Sequence, residues 1–114
     1  MKRMTMLLLL VAVAALVSGA VFARSEVKNP FSGNATAIKE GEKIYDRLCV
    51  DCHLDGTGGS GPNLIDDTWI YGSSDEKVFE TITKGRPGGM PSWGGELKEE
   101  EIWKVIAYVR SIKR

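Results

Sequence analysis

CVDCHLDGTGGSGPNL, residues Cys49 to Leu64, holds both cysteines and the only histidine of the 114-residue chain, then a polar Gly-rich run that reaches Pro62. A Cys-x-x-Cys-His stretch serves three chemistries in whole or in part: covalent haem attachment, a metal knuckle and a dithiol redox pair. The residues outside it decide which of them this chain permits.

The first twenty-three residues stand apart from the rest. Lys2 and Arg3 precede an uncharged run from Met4 to Ala23, rich in Leu, Val and Ala and ending Val21-Phe22-Ala23. This reads as a secretory signal peptide over residues 1–23, cut after Ala23, with an uncleaved membrane anchor as the alternative. Either reading exports the remainder of the chain, to the periplasm or to the outer face of a membrane. Without the leader, thirteen basic residues stand against fifteen acidic ones, a net charge of −2 that offers no basic face to nucleic acid. A domain this small buries a modest fraction of its surface and commonly needs a disulfide, a metal or a bound group to complete its core.

Residues 24–36 have no periodicity and read as a tether or N-terminal arm, leaving residues 37–114 as the domain. Ile38, Gly41, Ile44, Tyr45 and Leu48 predict a first helix ending near the cysteines. Residues 53–68 read as loop. Ser73-Ser74-Asp75-Glu76 resembles a capping box opening a second helix with Val78, Phe79 and Ile82 on one face and Gly85 as its stop. GRPGGMPSWGG, residues 85–95, carries five of the thirteen glycines and must be irregular. Glu99, Glu100 and Glu101 then open a terminal helix striped by Ile102, Val105, Ile106, Val109 and Ile112, although Lys98 is a poor residue for its N-cap. The expectation is an all-α fold of three main helices joined by long loops, and long loops in a small domain imply that something other than chain packs against them.

A structural zinc site wants four Cys or His ligands, and the chain beyond the leader offers three. A thioredoxin-like dithiol belongs where a strand meets a helix, and no βαβ pattern exists here. A Cys49–Cys52 disulfide would close a very short loop and contribute little. None of these uses His53, Met90 and the loops together. Covalent haem does. Thioethers from Cys49 and Cys52 would fix one haem c to the end of the first helix, with His53 as proximal iron ligand and the Pro62 carbonyl as acceptor for its second nitrogen. Met1, Met4 and Met6 belong to the leader, so Met90 is the remaining soft ligand for the sixth position, against the plainer reading of a gap-filling core Met.

With these residues in view, the chain resembles the small class I c-type cytochromes from about Ala37 to Ile112, through CVDCH, GPNL, GGMPSW and LKEEEIWKVIAYVRSI. The PNLIDDTWIYG…GRPGGMPSW arrangement is most similar to the cytochrome c domains of cbb3-type oxidases and of some periplasmic dehydrogenase partners. The resemblance implies a cytochrome c fold wrapped around a covalently attached haem, with Gly41 and Tyr45 of the first helix meeting Val105 and Tyr108 of the last. It also implies Trp69, Tyr71 and Arg86 as partners for the haem propionates, against readings as core aromatics and a surface charge. Leu64, Phe79, Ile82, Leu97 and Val109 read as haem-pocket or core residues, and Trp93 as a flank of the ligand loop.

The resulting expectation is an exported monohaem electron carrier that is not an enzyme and works between redox partner proteins, with the membrane involved only through an uncleaved leader. Two further readings stay open: a redox or gas sensor whose Met90 dissociates, and a fixed electron-transfer subunit of a larger oxidoreductase.

Overall fold

The computed structural model describes residues 19–21 and 24–113, so the expected leader lies almost wholly outside the described residues. Its helices are α1 (Ala35–Leu48), α2 (Val50–His53), α3 (Asp75–Lys84) and α4 (Glu99–Ile112), and no strand occurs among the described residues. The three helices expected from periodicity are present. The addition is α2, a single turn made by the Cys-x-x-Cys-His segment itself.

Each helix end has a local chemical cause. Asn34 caps α1 by accepting from the Ala37 N–H, and the Ser74 side chain accepts from the Lys77 N–H at the start of α3. That second cap differs from the expected box, because with Ser74 at the N-cap the third helical position is Lys77, which has no acceptor to return. Gly85 ends α3 at φ 69°, a conformation glycine takes without a Cβ clash. The poor cap at Lys98 is offset from inside the helix: the Glu101 carboxylate accepts from the Lys98 N–H at 2.8 Å.

The core lies where α1 crosses α4. Ala37, Gly41, Ile44 and Tyr45 form the buried face of α1, and Ile102, Val105, Ile106, Ala107 and Val109 that of α4. The backbones meet at Gly41, where a Cβ would stand 2.0 Å from the Lys104 carbonyl oxygen, so no other residue fits without moving a helix. Tyr45 and Tyr108 pack as tilted rings with centroids 5.2 Å apart. These are the pairings that the family resemblance implies.

The N-terminal arm is fixed to this frame at Asn29, which is 6% exposed. Its side chain donates to the Trp103 carbonyl on α4 at 2.8 Å and accepts from the Phe31 N–H, while its backbone N–H donates to Asp75 on α3. Behind the arm, Phe79 stacks on Trp103 with centroids 4.3 Å apart. Phe79 therefore packs on the side of the molecule that the arm covers.

Candidate haem site

The C-terminal end of α1 delivers the Cys-x-x-Cys-His segment. Cys49 is both the last cap of α1 and the first of α2, its N–H bonded to the Tyr45 carbonyl at 2.8 Å, and the His53 N–H is bonded back to the Cys49 carbonyl at 3.0 Å. One helical turn thus sets the two sulfurs three positions apart, on the same side of the turn, with the imidazole following. Cys49 is half-buried and Cys52 exposed, and no disulfide joins them. Burial, helped by the neighbouring Cys52, pushes the Cys49 thiol up to about 11. Among the described residues no three His, Cys, Asp or Glu side chains gather as a metal-ligand group, and the zinc reading gains no support.

The loop after α2 folds back around its own histidine. His53 is 9% exposed and its Nδ1 lies 2.9 Å from the Pro62 carbonyl oxygen. A carbonyl can only accept, so Nδ1 carries the proton and Nε2 keeps its lone pair for a metal. Gly61 presses on the ring: a Cβ there would come within 2.6 Å of Cε1, and the Gly61 N–H is itself tied to the Cys52 carbonyl at 2.8 Å. The loop's first residue, Leu54, adopts φ 52°, and its carbonyl accepts from the Tyr45 hydroxyl at 2.8 Å. Burial holds that hydroxyl protonated, pushing Tyr45 up to about 12.

Met90 sits in a second anchored loop. The Arg86 N–H donates to the Met90 carbonyl at 3.0 Å, closing a tight turn over Pro87, Gly88 and Gly89. The chain then returns along the end of α3: Trp93 N–H to the Ile82 carbonyl, Gly94 N–H to the Thr83 carbonyl, and Ser92 Oγ to that same Thr83 carbonyl at 2.6 Å. Met90 is half-buried, as are Leu64, Ile82 and Trp93, which pack against the edge of the core.

The three expected propionate partners fall into two places. Arg86 bonds Thr81 Oγ1 through Nη2 at 2.9 Å and lays its guanidinium 4.4 Å over the ring of exposed Tyr71, so these two stand together beside the Met90 loop. Trp69 is half-buried, and its Nε1 is a buried donor with no partner among the protein's groups. Its ring is covered on one face by Arg110 of α4, centre to centroid 5.2 Å. Sequence reasoning did not single out Arg110, because a cation in the last turn of a helix is already accounted for by the helix dipole. Gly61 was likewise one small residue in a run of them; only the folded loop reveals the imidazole beside it.

These residues fit a haem. The set comprises two thiols on one turn, an imidazole with a prepared Nε2, a thioether on an anchored loop, apolar side chains at the core edge, and an indole N–H in need of an acceptor. The family described as "Cytochrome C oxidase, cbb3-type, subunit III" matches residues 36–109, from the first turn of α1 almost to the end of α4. The chain belongs to this family.

This cytochrome c domain is 44% identical over 77 residues to the cbb3-type cytochrome c oxidase subunit FixP of Bradyrhizobium diazoefficiens, an alignment covering 64% of this chain and 27% of that protein. It is 40% identical over 83 residues to subunit CcoP of Cereibacter sphaeroides, covering 69% and 29%. The chain thus spans under a third of the length of these relatives. Among solved structures, cytochrome cL from Hyphomicrobium denitrificans superposes with a TM-score of 0.72 at 36% identity, over 75% of this chain and 52% of that one. Cytochrome c6 from the diatom Phaeodactylum tricornutum gives 0.57 at 31% identity, over 65% and 91%. The all-α cytochrome c fold and the membership of the cbb3-type subunit III family are thus established, and the family implies a covalently bound haem c.

Proposed function

We propose that this domain carries single electrons between redox partner proteins on the exported side of a membrane, through one haem c held by Cys49, Cys52, His53 and Met90. The bound haem supplies a one-electron Fe(III)/Fe(II) couple. The observation that carries the reading is the His53 imidazole, buried, bonded through Nδ1 to Pro62 and pressed by Gly61.

The protein's own part is to keep that couple fast and high in potential. Both anchoring loops limit rearrangement: the imidazole cannot rotate without breaking its bond to Pro62, and Met90 cannot withdraw without unseating the Ser92, Trp93 and Gly94 bonds to α3. A neutral thioether favours the ferrous state, and the half-buried apolar residues Leu64, Ile82 and Trp93 disfavour the extra ferric charge. Trp69, Tyr71 and Arg86 serve the propionates. His53 and Met90 would both hold the iron, which would leave the domain suited to electron transfer rather than to bond chemistry.

A second reading is favoured by the likeness to FixP and CcoP: the domain works as a fixed electron-transfer subunit of a larger oxidoreductase rather than as a free carrier. Among the described residues no helix is long and apolar enough to cross a membrane. Fractionation of the native host with N-terminal sequencing separates the two.

The electron-transfer reading is tested by redox titration of the matured protein. The expected result is a single one-electron wave, no rapid carbon monoxide binding to the reduced form, and a midpoint lowered in Met90→Ala by several multiples of ~59 mV, the tenfold step of a one-electron couple. Fast, tight carbon monoxide binding by the unaltered protein would favour the sensor reading.

A further inference from the structure

The arm and the indole of Trp69 are linked by a continuous set of polar contacts that the proposed electron-transfer role does not use. Both oxygens of the Asp75 carboxylate are engaged, each by a different segment. Oδ2 accepts from the Asn29 backbone N–H of the arm at 2.8 Å, and Oδ1 accepts from Arg110 Nη2 of α4 at 3.2 Å. Arg110 Nη2 also donates to the Ser73 carbonyl, just before α3. The guanidinium so held lies over the ring of Trp69, whose Nε1 is the buried donor without a protein partner. Neither end is loose: Asn29 is 6% exposed and pinned by its side chain to Trp103 and Phe31, and the side chains of Arg110 and Asp75 are 27% and 24% exposed.

We infer that Asn29, Asp75 and Arg110 are positioning residues that couple the seating of the N-terminal arm to the Trp69 indole N–H, and through it to the potential of the haem. The inference rests on the proposed haem reading. A cation on the face of an indole draws on its π density and makes the N–H a stronger donor. A buried donor that nothing in the chain satisfies is matched by an acceptor from the bound group, here a haem carboxylate. Releasing the arm frees Asp75 Oδ2, loosens Arg110 and weakens the hold of Trp69 on that carboxylate. The uncompensated negative charge then favours the ferric state, and the potential falls. The arm is also the segment through which any restraint on residues 1–23 reaches the domain, so anchoring or docking there would be felt at the haem.

The diagnostic variant is Asn29→Ala, which changes no charge and deletes the side-chain bond from the arm to Trp103 together with the one to Phe31 that shapes the arm. It is made in the unaltered and the Trp69→Phe backgrounds, each matured with haem, and read by spectroelectrochemical titration alongside thermal melting. The expected result is a lowered midpoint for Asn29→Ala in the unaltered background, with no further shift when Trp69 is already Phe. Arg110→Gln lowers the midpoint more, and part of its effect survives in Trp69→Phe because a charge has been lost. An unchanged midpoint with a lowered melting temperature, or an equal shift in both backgrounds, overturns the coupling. If Asn29→Ala yields no holoprotein, Asn29→Ser, which keeps an acceptor for Phe31 and loses the bond to Trp103, is read the same way. Failure of the haem reading would appear instead as absence of bound haem in the unaltered protein.

Discussion

The α1–α4 crossing and the two long loops are built on different principles. At the crossing, chain packs on chain: the four largest side chains with almost no exposure, Tyr45, Ile102, Val105 and Ile106, all lie there. Over residues 54–74 only Gly56 is buried, and over 85–98 only Gly85 and Leu97. The loops are nonetheless ordered by hydrogen bonds of high specificity, His53 to Pro62, Gly61 to Cys52, Ser92 to Thr83, and they carry Leu64, Trp69, Met90 and Trp93 at half burial. One region gains its stability from apolar contact within the chain. The other arranges donors and apolar edges around a group that the chain does not encode.

That contrast can be broken at its strongest point first. Gly41→Ala puts a methyl into the Lys104 carbonyl and should cost roughly 3 kcal/mol or more, or prevent folding, with the haem spectrum of any surviving protein unchanged. Guanidinium unfolding followed by circular dichroism measures it. Next, Ile106→Ala should cost about 2–4 kcal/mol with an unaltered midpoint potential, as expected for a buried core residue. Leu64→Ala, at the loop edge, should cost less in stability and shift the potential. If the two variants behaved alike in both readouts, the division between the regions would be wrong.

Smaller effects sharpen the picture. Ser92→Ala removes one hydrogen bond from the Met90 loop, a loss of about 1 kcal/mol. Carbon monoxide binding to the reduced protein should become measurably faster, because the loop opens more often. At the seam between the regions, Tyr45 has an ordinary value of 10.0 and is pushed up to about 12 in the fold, where its hydroxyl donates to Leu54. The folded state thus holds this proton more tightly than the unfolded chain. Its contribution is complete below pH 10 and is lost as pH rises toward 12. Tyr45→Phe should lack that part of the alkaline loss, which chemical unfolding at a series of pH values would reveal.

The crossing was legible in the sequence because its cause is periodic. Ile102, Val105, Ile106 and Val109 recur at helical spacing, and Gly85 marks an end. The proposed iron ligands come from the sequence for a different reason: so few soft ligands exist beyond the leader that elimination leaves His53 and Met90. What periodicity could not reach was the loops' internal wiring. Nothing in a Gly-rich run says that Gly61 rather than its neighbours faces the imidazole, nor that Arg110 leaves its helix dipole to cover Trp69. The one-turn α2 and the docked Asn29 are set by tertiary hydrogen bonds, which leave no periodic trace. The rescue of Lys98 by Glu101 was visible only as three acidic residues in a first turn.

A porphyrin forming the interior of the loop half is the claim on which everything else depends. Its most direct test is the mass and the absorption spectrum of protein matured in an export-competent host that carries haem-attachment machinery. The prediction is one haem bound through both cysteines, with a thioether-to-ferric charge-transfer band that disappears in Met90→Ala. A folded, colourless protein with unmodified Cys49 and Cys52 would contradict it.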